Sequence, residues 1–409
     1  MLLKIAALVV VVIAASFSIN KIDKLKDTSK INMSSNDIPE LLERGAKIQY
    51  GKEWDYMQNA YMEQKLALEK NDKDHEARLK LAQIFIKEAR VTGEHGHYYP
   101  AALESIDKIL ADTDLDRDMK FLALTTKAGV QLSLHEFQKA LETGNEAVLL
   151  NPANAQIHGV LVDANVELGN YERAIKLADR MVTLKPDIRS YSRVSYLREI
   201  HGDVDGSIEA MKMAATAGYP GYEETAWAML TLGDLYKTYG DLDKAEKIYN
   251  EILETRPDYP FAVGAIGDVQ LERGDLDKAE ETLTRAMNII PEVGFYVSMA
   301  ELYKKQGRED ELKEIMKEIM VMLEDDVQSG HNMNLEYAHI YLDILDDPEK
   351  ALEYAKEEYN KRPENIDVNR TMAEVMIAMN DTSKAKEYAS AASKTNSKHP
   401  ELKEINTKI

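Results

Sequence analysis

The stretch TAWAMLTLGDLYKTYGDLDKAEKIYNEILETRPDYP (residues 225–260) holds the heptad GDLDKAE at Gly240–Glu246, and the same seven residues return at Gly274–Glu280. The two copies start 34 residues apart. Chance is a poor account of a seven-residue match, and the heptad lacks the chemistry that a repeated catalytic element would need. A fixed period of this length marks a structural unit stacked along the chain.

The residues around the heptad show what that unit is. Leu232, Gly233, Gly240, Ala245, Tyr249 and Pro257 are answered by Ile266, Gly267, Gly274, Ala279, Leu283 and Pro291, each 34 residues on. Gly233 and Gly267 fall on a first helix, where the missing side chain admits a second helix at close range. Ala245 and Ala279 supply the matching small surface on that second helix. Gly240 and Gly274 end the first helix, and the Asp that follows each is placed to cap the second. Pro257 and Pro291 stop the second helix before the next unit. The heptad is therefore a turn and a helix start. It carries architecture, not chemistry.

The order L-G-x2-Y, then A-x3-Y, then P closely resembles the tetratricopeptide repeat, with Met229 where that family often has Trp. The marks continue both ways: Ala140 with Pro152, Ala174 with Gly169 and Pro186, Gly202 with Ser207, then Ala351 and Ala385. One unit is degenerate, with Gly307 but Leu312 in place of Ala. The step lengthens in two places, and the extra residues fall in TAGYPGYEE and EDDVQSGHN, which read as extended loops between units. Towards the N-terminus ARLKLAQIFIKEA and YPAALESIDKIL read as one helix pair split by a loop insertion at 92–100. Ile38–Tyr50 and Lys52–Leu68 read as the pair before it. The resemblance implies an all-α fold, a right-handed α-solenoid of stacked antiparallel helix pairs. Residues 38–115 form its degenerate start, 116–400 the main array of about ten units in all, and 401–409 a tail.

Composition agrees with this and narrows the function. No segment sustains the strict alternation of a strand, and only 11 prolines interrupt the 409 residues. The net charge of −21 repels phosphate backbones, so nucleic acid is not an expected partner; basic or polar protein segments are. With no cysteine, thiolate catalysis, disulfides and Cys-based zinc sites are excluded. No metalloprotease helix, nucleophile elbow, phosphate loop or dinucleotide fingerprint occurs. The expectation is a non-enzymatic scaffold that needs no cofactor. At the N-terminus MLLKIAALVVVVIAASFSIN is apolar from Ile5 to Phe17, which predicts a signal peptide or membrane anchor over 1–19. Residues 20–37 are a polar linker. The array is accordingly expected outside the cytoplasm or on a membrane, with a cytoplasm-facing anchor as the alternative that Lys21, Lys24 and Lys26 favour.

Two sets of candidate site residues follow. In tetratricopeptide proteins the concave groove is lined by fixed positions of the first helix of each pair. The resemblance places Asp163, Tyr196, Asp234, Asp268, Glu301 and Glu374 at the ninth position, and Trp227 and Phe261 at the second. It implies a protein-binding groove with two aromatic anchors beside a ladder of acids, and the acids argue against capture of a C-terminal carboxylate. The second set is Glu94, His95 and His97 in GEHGHYYP. Two imidazoles and a carboxylate suit zinc, copper or nickel. The competing reading is an ordered loop that packs its tyrosines over a neighbouring helix. The alternating acids of DTDLDRD lack the glycine of a calcium loop and read as a helix-capping turn.

Overall fold

The computed structural model describes residues 38–409, so the expected leader at 1–19 and linker at 20–37 lie outside the described residues. All regular structure in the described residues is helical. A single helix α1 (Glu53–Lys70) leads. Then come the pairs α2 (His75–Thr92) with α3 (His95–Leu110), α4 (Arg117–Ser133) with α5 (Phe137–Leu150), and α6 (Ala155–Glu167) with α7 (Tyr171–Leu184). Next are α8 (Ile188–Ile200) with α9 (Val204–Thr216), α10 (Glu223–Thr238) with α11 (Leu242–Thr255), and α12 (Pro260–Arg273) with α13 (Leu276–Met287). The last pairs are α14 (Val293–Gln306) with α15 (Glu309–Gln328), α16 (Asn334–His339) with α17 (Pro348–Lys361), and α18 (Ile366–Ala378) with α19 (Thr382–Ala392). A terminal α20 (Pro400–Lys408) closes the array. The fold is the expected all-α solenoid of helix pairs.

Small residues set the spacing within seven of the pairs. Ala140, Ala174, Ala245, Ala279, Ala351 and Ala385 are all fully buried, and Ser207 takes the same place in its unit. A methyl group built on Gly233 would lie 2.3 Å from the Tyr249 ring, and one on Gly267 would lie 2.8 Å from Leu283 Cδ2. Between the helices Gly240 takes a left-handed φ of 88°, and the Asp241 side chain accepts from the Lys244 backbone N–H at the head of α11.

The array also closes on itself. Tyr50 Oη donates to the Asp258 carbonyl at 2.7 Å, and the Arg256 guanidinium lies 3.8 Å from the centre of the Tyr50 ring. Further along, His135 Nδ1 donates to the Asn332 carbonyl at 2.9 Å, Asn365 Nδ2 donates to the Glu167 carbonyl at 3.0 Å, and the Ile366 N–H donates to Tyr171 Oη at 2.9 Å. These partners are separated by 195 to 208 residues, which is about six 34-residue units. A constant offset means that each unit meets the unit one superhelical turn later. The buried Arg362, which follows directly on α17, adds an ionic tie, bonded to Glu167 across the turns and to Glu358 of α17.

Four local expectations change. Residues 38–52 hold only a 3-10 turn at Ala46–Ile48; Gly45 and Gly51 flank it, and the buried Arg44–Glu88 ion pair at 2.6 Å fastens the segment to α2. No loop insertion exists at 92–100. Gly93 ends α2 with a φ of 74°, and α3 starts two residues later, with Pro100 inside it rather than at its start. Residues 401–409 are not a loose tail, because Pro400 opens α20 and Leu402 and Ile405 are buried against the last pair. EDDVQSGHN is not mainly a loop either: α15 runs on to Gln328, giving 20 residues where α13 has 12. No helix among the described residues is long and apolar enough to cross a membrane.

Candidate functional site

The predicted groove residues sit on the even-numbered helices, the first helix of each pair, and most are held by neighbours in the chain. Asp163 on α6 takes a two-point ion pair from Arg193 on α8, at 2.8 Å to Oδ1 and 2.5 Å to Oδ2. Burial pushes the Asp163 carboxyl up, and Arg193 opposes that shift. On α10 Asp234 accepts from Tyr249 Oη at 2.7 Å. Asp268 on α12 accepts from Lys237 Nζ at 3.1 Å and from Ser298 Oγ of α14 at 2.7 Å. A polar ladder thus crosses α10, α12 and α14, and each rung ties one unit to the next.

Electrostatics along this ladder are uneven. Burial raises Asp234, against the pull of Lys237 and the Tyr249 hydroxyl. Burial would lower Lys237, but Asp268 and Asp234 together carry it upward. One ammonium therefore serves two carboxylates. Glu301 lies buried one unit further along α14. The resemblance gave no reason to single out Lys237 or Arg193, the cations that hold these acids.

Tyr196 makes a contact between superhelical turns. It is buried on α8, and its hydroxyl donates to Asp367 Oδ2 on α18 at 3.3 Å, one superhelical turn later. Trp227 and Phe261 are both half-buried, each in a different cluster. Trp227 packs against the group around Met211, Leu232 and Leu235, whereas Phe261 meets Tyr259 at 5.3 Å and Phe295 at 6.2 Å between ring centres. Glu374 borders a cleft of about 260 Å³ beside α20, lined also by Asp343, Glu401 and Glu404 and by Leu342, Ile377 and Ile405. Burial pushes Glu374 up to about 7, with His339 opposing.

The second candidate set divides. Glu94 is the N-cap residue of α3. His97 turns outward, and its Nε2 donates to the Glu40 carbonyl at 2.7 Å. His95 turns the other way into the interior and is fully buried, as are Tyr98 and Tyr99 beside it. Packing of the tyrosines is as the competing reading expected, although on a helix and not a loop. The groups that meet His95 come from the far end of α15, and no sequence pattern pointed to them. In DTDLDRD, Asp116 caps α4 by accepting from the Asp118 and Met119 N–H groups.

Two family models described as tetratricopeptide repeat match the chain, over residues 126–187 and 236–293. No curated protein matches it. Among solved structures, a thermophilic tetratricopeptide repeat protein from Thermus thermophilus is 22% identical, over 48% of this chain and 99% of its own, with a TM-score of 0.42. A tetratricopeptide repeat protein from Parabacteroides merdae is 15% identical, over 63% of this chain and 97% of its own, with a TM-score of 0.43. The two family-model matches, with the helix pairs that carry the same motif residues, support a tetratricopeptide repeat protein.

Proposed function

We propose that the chain is a non-enzymatic interaction scaffold that takes a basic or amide-rich protein segment along the face of α10, α12 and α14, between Trp227 and Glu301. The observation that carries this is the shared cation: Asp234 and Asp268 have Lys237 between them, which leaves an excess of negative charge beside two half-exposed aromatic rings. The rings offer contact area, and the acids select a basic segment and speed its arrival. The overall charge of −21 favours the same class of partner. Residues 1–19 serve as leader or anchor, which places the array outside the cytoplasm or on a membrane surface.

The partner is to be recovered by cross-linking on native membranes and its binding remeasured with purified components. Replacing both Trp227 and Phe261 by Ala should weaken that binding by about tenfold or more. Because both rings also pack in the interior, circular dichroism must first show that the double variant keeps its helix. D268N should cost less and flatten the salt dependence. A folded W227A/F261A protein that binds like the parent would move the site elsewhere. The leader is checked separately: full-length chain found free in the cytosol with an intact N-terminus would refute it.

A further inference from the structure

The C-terminus of α15 is built in a way that packing alone does not explain. Gly330 takes a left-handed φ of 94°, its N–H donates to the Val327 carbonyl, and the His331 N–H donates to the Asp326 carbonyl at 3.0 Å. This is a paired helix-ending motif that normally brings two apolar side chains together. Here the two positions are Asp326 and His331, at 2% and 4% exposure. Their side chains face each other, with Nδ1 of His331 4.0 Å from Oδ1 of Asp326.

The pair does not sit alone. The first turn of α3 presses against the end of α15 so closely that a methyl on Gly96 would come within 2.5 Å of Ser329 Oγ. That contact brings in His95, whose ring lies 5.2 Å from the His331 ring at an interplanar angle of 25°. The Tyr99 ring closes the other side, 5.0 Å from His95 and 5.7 Å from His331. One nitrogen from each imidazole and one Asp326 oxygen all lie within 4.8 Å of one another. No nitrogen of either ring makes a hydrogen bond, and neither does Asp326 Oδ2.

Five buried polar atoms without partners in one place are costly, at about 1–3 kcal/mol each. Two imidazoles and a carboxylate are a donor set of borderline hardness, suited to zinc and its first-row neighbours and unsuited to calcium or magnesium. Ligand atoms around tetrahedral zinc sit about 3.4 Å apart, from bond lengths of about 2.0–2.1 Å. Small side-chain rotations would close the present spacing to that value.

We propose that His95, His331 and Asp326 bind one zinc-class divalent cation, which fastens α3 in the first superhelical turn to the end of α15 in the second. The site is structural: its ligands are buried and come from two successive superhelical turns of the array. A cation held there adds to stability by mass action, because the unfolded chain cannot assemble the set.

The test uses the full chain, stripped with a chelator and then titrated with zinc. The expected result is one equivalent bound with Kd below about 1 µM, a higher thermal midpoint, and no such effect from magnesium or calcium. H331Q and D326N should each weaken zinc binding at least about tenfold, whereas H97A, beside the site but turned to Glu40, should leave it unchanged. Since H331Q could fail to fold, zinc-edge X-ray absorption on the unsubstituted protein gives an independent readout and should show two imidazole ligands. Absence of stoichiometric zinc binding, loss of binding in H97A equal to that in H331Q, or an all-oxygen coordination shell would each overturn the proposal.

Discussion

Gly233 and Gly240 sit in one repeat and are glycine for different reasons. At Gly233 the Tyr249 ring fills the space a side chain would take, whereas at Gly240 the space is open and the backbone φ of 88° is the constraint. Gly233→Ala should therefore cost about 2–3 kcal/mol, as overpacking against an immovable ring, and Gly240→Ala about 1 kcal/mol of backbone strain. Urea unfolding of both variants checks the order, and a larger loss at Gly240 would contradict this account. Residues of this kind were legible in the sequence because their contacts lie within one 34-residue unit and recur. Asp326 and His331 were not. His95 stands out in the sequence for its neighbours Glu94 and His97, yet its ring meets a histidine from the next superhelical turn.

Single elements show both kinds of legibility. Helix ends are legible where glycine, aspartate and proline fix them, as at Gly240, Asp241 and Pro257, although Asp275, expected to cap α13 in the same way, makes no side-chain cap. They were misread at α3, where Pro100 suggested a helix start although the helix begins at His95. Helix α15 was read as shorter than it is, and its added length is what carries Asp326 and His331 back to α3. Packing between elements also sets charge states. Glu199 near the end of α8 accepts from Tyr239 Oη of α10 at 3.3 Å, and burial pushes it up to about 7 against that hydrogen bond. An unfolded glutamate titrates near 4.5, so the folded state holds the proton more tightly between the two values. Its contribution to stability is complete below about 4.5, is lost as pH rises towards 7, and is constant above that. Glu199→Gln removes this dependence. Its stability relative to the parent should rise by about 1–3 kcal/mol between pH 5 and pH 8, measured by denaturant unfolding at each pH. A difference that is flat with pH would place the titration elsewhere.

At the scale of the whole molecule the contacts between turns dominate, and contacts 195 to 208 residues apart leave no short-period mark in the sequence. An open solenoid gains stability only between neighbouring units. This one adds the ties of Arg362 to Glu167 and Tyr50 to Asp258, so its two ends should unfold together. Arg362→Met would leave Glu167 and Glu358 buried without their guanidinium, at a cost of about 3–5 kcal/mol. Hydrogen exchange should then speed up in α6 and α7 as well as in α17 and α18. If protection were lost only around the substituted residue, the turns would not be coupled.

The offset of 195 to 208 residues has a historical consequence. Arrays of this kind lengthen and shorten by duplicating or deleting one unit, since each unit needs only its neighbours. Here, an extra pair inserted between α7 and α14 would move Tyr50 away from Asp258, or His135 away from Asn332, or Glu167 away from Arg362, and several of these at once. The copy number between the two turns is therefore locked. Change by whole units remains open only outside the stacked region, while within it the chain can drift by substitution alone.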